Sequence, residues 1–107
     1  TIQSAEKTWV KPTVATIKAA ASNAKWKAEE GFYQILANQP GKETYPIVAA
    51  TFILLPTEKA DSNKKVATFF DYSFEKGAEE AQKLGYIPLP KETITAIVAY
   101  WKANGAK

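Results

Sequence analysis

Polar and apolar positions alternate along this chain in several distinct ways, and each pattern predicts an element. Val14, Ile17, Ala21 and Ala24 recur at helical spacing behind Pro12, a residue suited to a first helical turn, so a helix is expected over about 12–23. Its face of small residues predicts close packing. Residues 32–38 (FYQILAN) have the composition and length of a strand and run into Asn38-Gln39-Pro40-Gly41, a turn signal. Residues 45–55 (YPIVAATFILL) are the most apolar stretch. Ile47, Val48, Thr51 and Ile53 are β-branched, with Pro46 at or before the start and Pro56 at the end. A strand apolar on both faces predicts a central strand covered from both sides.

The second half reads as helical. Asp61 or Ser62 is expected to cap a helix that reaches Lys76, with Val66, Phe69, Phe70 and Phe74 as its inward stripe. Gly77 either ends that helix or breaks it, because residues 78–84 remain helical in pattern. Residues 86–90 (YIPLP) predict a rigid extended linker, since a residue before proline is pushed out of the α region. Ile94, Ile97, Val98 and Trp101 then mark a last helix that frays at Asn104-Gly105. Residues 1–11 are short and polar, with Ile2, Trp9 and Val10 as apolar members. The reading is an α/β chain: a few strands, one of them central and apolar, flanked by three or four helices. There is no internal repeat and no linker that divides it.

Composition narrows the chemistry. With 107 residues, 46% hydrophobic and 23% charged, the chain has the make-up of one small globular unit. Cys, Met and His are absent. Disulfides, thiolate nucleophiles, Cys/His metal sites and histidine acid–base chemistry are excluded with them. The net charge of +3 comes from lysines interleaved with acids, and no Arg occurs. A nucleic-acid footprint clusters its cations and favours Arg, so no nucleic-acid partner is expected. No apolar run reaches the roughly 20 residues of a membrane span. The chain opens at Thr1 without Met, which implies that it is processed, tagged elsewhere or cut from something longer.

Gly41-Lys42-Glu43-Thr44 looks like the end of a phosphate-cradling loop. Leu36 stands where that motif requires Gly, Glu43 follows the lysine, and the loop lies between two strand patterns, so a turn accounts for these residues. The paired acids Glu29-Glu30 and Glu79-Glu80 sit among lysines and read as solvated. Asp71, beside the phenylalanine stripe, reads as a structural partner of a lysine on its own helix. Phe69, Phe70, Phe74 and Trp101 fall on helical faces and read as core, whereas Trp9, Trp26 and Tyr33 are left undetermined.

Several stretches together resemble one family. Residues 45–55 are similar to the "YPI…TF/YILV" strand of the phosphate-binding proteins of phosphate-specific ABC importers. Residues 32–41 resemble its strand and "N-x-PG" turn. Residues 66–72 (VATFFDY) resemble "VLKFFDWAY", residues 77–81 "GAKQA", residues 84–90 (LGYIPLP) "LGYVPLP", and residues 99–102 (AYWK) "ASWK". Pro12-Thr13 fits the "PT" that opens a helix after a lobe crossover. Lys91 departs from the Asp that often follows "LP", and Glu75 and Lys76 alter the residues before Gly77. The resemblance implies a C-terminal segment, residues 1–107, of a two-lobed periplasmic-binding-protein-like solute-binding protein. It implies a partial lobe, a periplasmic location (or a lipid-anchored extracellular one in a Gram-positive host), inorganic phosphate as ligand and an ABC permease as partner. The family's phosphate ligands come from a "GATFP"-like loop, a Ser, an Asp and an "R-x-D-G-S-G-T" helix start. None of those motifs occurs here, and Thr51-Phe52 lacks the flanking Gly-Ala and Pro. No catalytic, ligand-binding or metal residue and no cofactor is therefore assigned. Apolar surface is expected to be left for a complementary N-terminal segment or for self-association. The competing reading is an autonomous small α/β interaction module for a protein or an anionic polymer. An enzyme would have to rely on Asp, Glu, Lys, Ser or Tyr, and no arrangement of these points to one.

Overall fold

The computed structural model describes residues 1–105 and divides the chain into two compact units, 1–51 and 52–107. The division falls inside the apolar run itself rather than at a Gly- or Ser-rich linker.

The first unit opens with a two-stranded antiparallel hairpin that the sequence pattern does not reveal, β1 (Ile2–Gln3) and β2 (Trp9–Val10), with Ile2 opposite Val10. Two-residue strands are too short to show a period. Their turn is held by polar groups: the Ser4 N–H donates to the Thr8 carbonyl at 2.8 Å, and the two hydroxyls lie 2.7 Å apart. Helix α1 (Val14–Asn23) starts two residues later than expected. Pro12 lies outside it and Thr13 is the cap. The Thr16 N–H donates to the Thr13 hydroxyl at 3.2 Å, and the Thr13 N–H donates back to the Thr16 hydroxyl at 2.9 Å. This reciprocal box satisfies two donors that a helix start otherwise leaves open.

The small face of α1 packs as the spacing predicts only toward its C-terminal end; Val14, expected on that face, is 45% exposed and Ile17 is half-buried. Ala20, Ala21 and Ala24 are buried, and Ala21, Ala24 and Leu36 form the core with Trp26, Val48 and Ala50 against them. Beyond α1 come a 3-10 turn (Ala28–Glu30) and irregular backbone. Residues 32–38 are not a strand. Phe32 and Asn38 have φ of +60° and +55°, and a backbone turned into the left-handed region at both ends cannot lie in a pleated ladder. Residues 45–55 are not a paired strand either. Residues 47–51 keep a strand's alternation, with Val48 and Ala50 half-buried and Ile47, Ala49 and Thr51 exposed, but only one face is covered. Residues 52–54 are exposed without alternation, Leu54 at 89%. A central strand needs hydrogen-bonded neighbours on both edges. The two-stranded sheet formed by the described residues contains only β1 and β2.

The second unit is helical: α2 (Ala60–Lys76), α3 (Ala78–Lys83) and α4 (Lys91–Ala103). Neither Asp61 nor Ser62 caps α2. Both lie inside its first turn, Lys59 occupies the cap position without a side-chain bond, and Asn63 instead donates to the Pro56 carbonyl at 2.7 Å. The buried side of α2 is centred on Asn63 and Ala67, with Phe70 and Phe74 half-buried. Phe69 points outward at 63% exposure and meets Phe70 edge-on. Gly77 is a junction in right-handed conformation, not a left-handed stop, and α3 begins at the next residue. The Phe74 and Trp101 rings stack at 6.1 Å between centroids, joining α2 to α4. Lys91 stands in the first turn of α4 with Glu92 beside it, so the positive charge at that helix start has an adjacent acid.

Candidate functional site

The most constrained polar cluster lies where the turn 38–44 meets α1 and the hairpin. Thr44 is 1% exposed. Its hydroxyl accepts from Asn23 Nδ2 at 2.9 Å and donates to the Pro40 carbonyl at 2.9 Å, and Asn23 Nδ2 also reaches that carbonyl at 2.9 Å. Asn23 is the last residue of α1, so the helix end and the turn are locked by one amide. Gly41 has φ of +119°, and a Cβ there would lie 2.5 Å from the Thr44 hydroxyl and 2.6 Å from the Asn23 amide. From the hairpin side, Glu6 accepts from the Gly41 N–H at 2.9 Å and the Thr8 hydroxyl donates to the Lys42 carbonyl. The Tyr45 N–H donates to the Thr16 carbonyl at 3.0 Å.

This geometry decides the character of the Gly-Lys-Glu-Thr sequence. A phosphate cradle presents free N–H groups at a helix start and a hydroxyl toward a metal. Here a carboxylate occupies the Gly41 N–H, the Thr44 N–H donates back to the Gly41 carbonyl at 3.2 Å, and the Thr44 hydroxyl points inward. The cluster is a clasp, not a receptor for an anion. Glu6 and Thr8 are its unanticipated members. Their segment carries no periodicity that would have placed them beside residues 41 and 42.

The other candidates resolve as surface chemistry. Glu30 pairs with Lys27 at 3.3 Å and Glu80 with Lys83 at 2.6 Å, both pairs well exposed and worth little. Among the described residues no group of three or more Asp or Glu side chains is placed to hold a metal ion, and no helix is long and apolar enough to cross a membrane. Among the described residues, two of the open depressions are worth noting for their lining. One, of about 420 Å³, lies between Asn23, Lys27, Gln34 and Gln39. The other, of about 530 Å³, lies along α2 and α4, with Phe74, Ile94 and Val98 among its apolar members and Asp71, Lys91 and Lys102 among its charged ones. Trp26 sits against the core and donates its indole N–H to the Ala21 carbonyl at 2.8 Å, whereas Trp9 and Tyr33 are exposed.

No family model matches the chain. Curated relatives do. A phosphate-binding protein PstS of Xylella fastidiosa is 39% identical over 105 residues, 96% of this chain. The PstS proteins of Pasteurella multocida and Haemophilus influenzae are 42% and 38% identical over 98 residues, 90% of the chain. The chain is similar to phosphate-binding proteins. The resemblance read from its motifs is to the same proteins, and it runs through both units. The chain spans only 28–29% of the length of these PstS relatives. The clasp at residues 38–44 and the apolar run at 45–55 both lie within the matched portion of the Xylella relative, which leaves almost none of this chain outside it.

Proposed function

We propose that this chain is a C-terminal segment of a two-lobed solute-binding protein for inorganic phosphate, serving uptake through an ABC permease from the periplasm. It supplies scaffold, not phosphate ligands. Its role is to contribute the apolar run and the packed helices of a lobe, with the Asn23–Thr44–Gly41 clasp fixing how α1 feeds into that run. It is not an enzyme. The observation that carries this reading is the similarity to PstS proteins along 96% of the chain, together with its span of less than a third of their length. The absence of Arg, and of any of the family's ligand motifs, supports placing the phosphate contacts in other parts of the protein.

The purified 107-residue chain, titrated with inorganic phosphate in a calorimeter at low salt, is expected to give no saturable heat while circular dichroism shows its helices formed. One-to-one binding in the micromolar range or tighter would overturn the scaffold reading, because a site would then exist among the lysines and backbone amides of this chain.

A further inference from the structure

We propose that Asn104 is a site of spontaneous covalent modification: its side-chain amide is lost through a cyclic imide with Gly105, and the acid left behind loosens the end of α4. Asn104 closes that helix. Its N–H donates to the Tyr100 and Trp101 carbonyls at 3.0 and 3.3 Å, and its Nδ2 donates to the Tyr100 carbonyl at 2.8 Å. These carbonyls are among the acceptors that a helix end leaves open, and one residue supplies donors to both. The residue that follows is the one best suited to attack the amide. Gly105 has no Cβ to crowd its nitrogen and is exposed. It lies at φ of +71°, with nothing within 4 Å of where a Cβ would stand. Among the described residues nothing bonds its N–H.

The reaction needs only water. The Gly105 nitrogen forms a bond to Asn104 Cγ and gives up its proton to a base in solvent. The Cγ–Nδ2 bond breaks, and the side-chain nitrogen leaves as ammonia. Water then opens the imide at either carbonyl, giving aspartate or its β-linked isomer. Ring closure needs ψ of Asn104 rotated away from its 17° and Nδ2 freed from Tyr100, and both follow when the last helical turn opens. The other asparagines, Asn23, Asn38 and Asn63, do not precede glycine. Asn23 is followed by Ala24, and its Nδ2 is held by the Pro40 carbonyl and the Thr44 hydroxyl. Asn38 is followed by Gln39, whose Cβ crowds the attacking nitrogen. Asn63 is buried inside α2, with Nδ2 on the Pro56 carbonyl. At Asn104 the product replaces a donor by an acceptor opposite the Tyr100 carbonyl, and it sets negative charge at the negative end of the α4 dipole. Trp101, whose carbonyl Asn104 caps, stacks on Phe74 of α2. Loosening the last turn of α4 therefore reaches the contact that joins the two helices.

This inference is independent of the phosphate reading, so the calorimetric result bears on one and not the other. The purified 107-residue chain is warmed in mildly alkaline buffer, digested with trypsin and followed by mass spectrometry. Cleavage after Lys102 separates Asn104 from the other asparagines. Its fragment is expected to gain the mass of an amide-to-acid exchange about tenfold faster than the fragments holding Asn23, Asn38 or Asn63. An isoaspartate-specific methyltransferase is expected to label the same fragment. Acidic buffer, which holds back loss of the Gly105 proton, is expected to slow the exchange, and Gly105→Ala to slow it about tenfold. Asn104→Asp makes one product directly. It is expected to lower the thermal midpoint by about 2–5 °C and to speed amide exchange in the last turn of α4. Exchange at Asn104 no faster than at the other asparagines, or unaltered by Gly105→Ala, would overturn the proposal. So would an Asn104→Asp chain with the thermal midpoint and amide exchange of the unsubstituted one.

Discussion

At the scale of single residues, Gly41 is the position where backbone freedom and space are both required. Its φ of +119° is open to glycine and costly for any L side chain, and the space a Cβ would take is filled by the Thr44 hydroxyl and the Asn23 amide. Gly41→Ala therefore combines backbone strain with displacement of a buried hydrogen-bonded pair. It is expected to destabilise the first unit by about 2–4 kcal/mol, read as a lowered urea midpoint in near-UV circular dichroism. The Asn-Gln-Pro-Gly turn was legible in the sequence because its residue types are turn formers. Why this glycine is indispensable was not legible. That depends on Asn23, eighteen residues earlier, and on Glu6 from the hairpin.

At the scale of elements, the helices were read closely and the strands were not. The register of α1 follows from spacing alone, but its start lies two residues beyond the expected one. Pro12 fits the first turn on intrinsic grounds, yet the Thr13–Thr16 box satisfies more donors and wins the cap. Thr13→Ala removes that box. The expected loss is about 1 kcal/mol, with faster amide exchange confined to the first turn of α1. The strand patterns at residues 32–38 and 45–55 are sound as composition. A helix closes its hydrogen bonds within its own segment, so its pattern is sufficient to predict it. A strand closes them only on a neighbour, so the same quality of pattern leaves residues 47–51 with one covered face and residues 52–54 exposed without alternation.

At the scale of the molecule, the exposed apolar run is the main departure from what a self-sufficient small domain presents. Leu54, Ile47 and Ile53 are 89%, 66% and 52% exposed. Large apolar side chains left exposed in succession exceed what a domain's own packing requires. Leu54→Ser is expected to shift folding stability by no more than about 0.5 kcal/mol, because almost nothing contacts the side chain. The same change should lower binding of a hydrophobic dye. A urea midpoint and dye fluorescence on the purified chain would check both. Unchanged dye binding would show that the accessible apolar surface lies elsewhere, for instance along the groove of α2 and α4.

The sequence by itself determined the helical segments, the absence of thiol and imidazole chemistry, the turn at residues 38–41 and the similarity to phosphate-binding proteins. Each of these is encoded in local spacing, in residue type, or in the order of short motifs along the chain. Only the tertiary structure decided that Gly41, Asn23, Thr44, Glu6 and Thr8 form one clasp, that Phe69 faces outward while Ala67 is buried, and that the apolar run is half-covered. These depend on contacts between residues far apart in sequence and on whether a backbone finds a partner strand. No local pattern carries either.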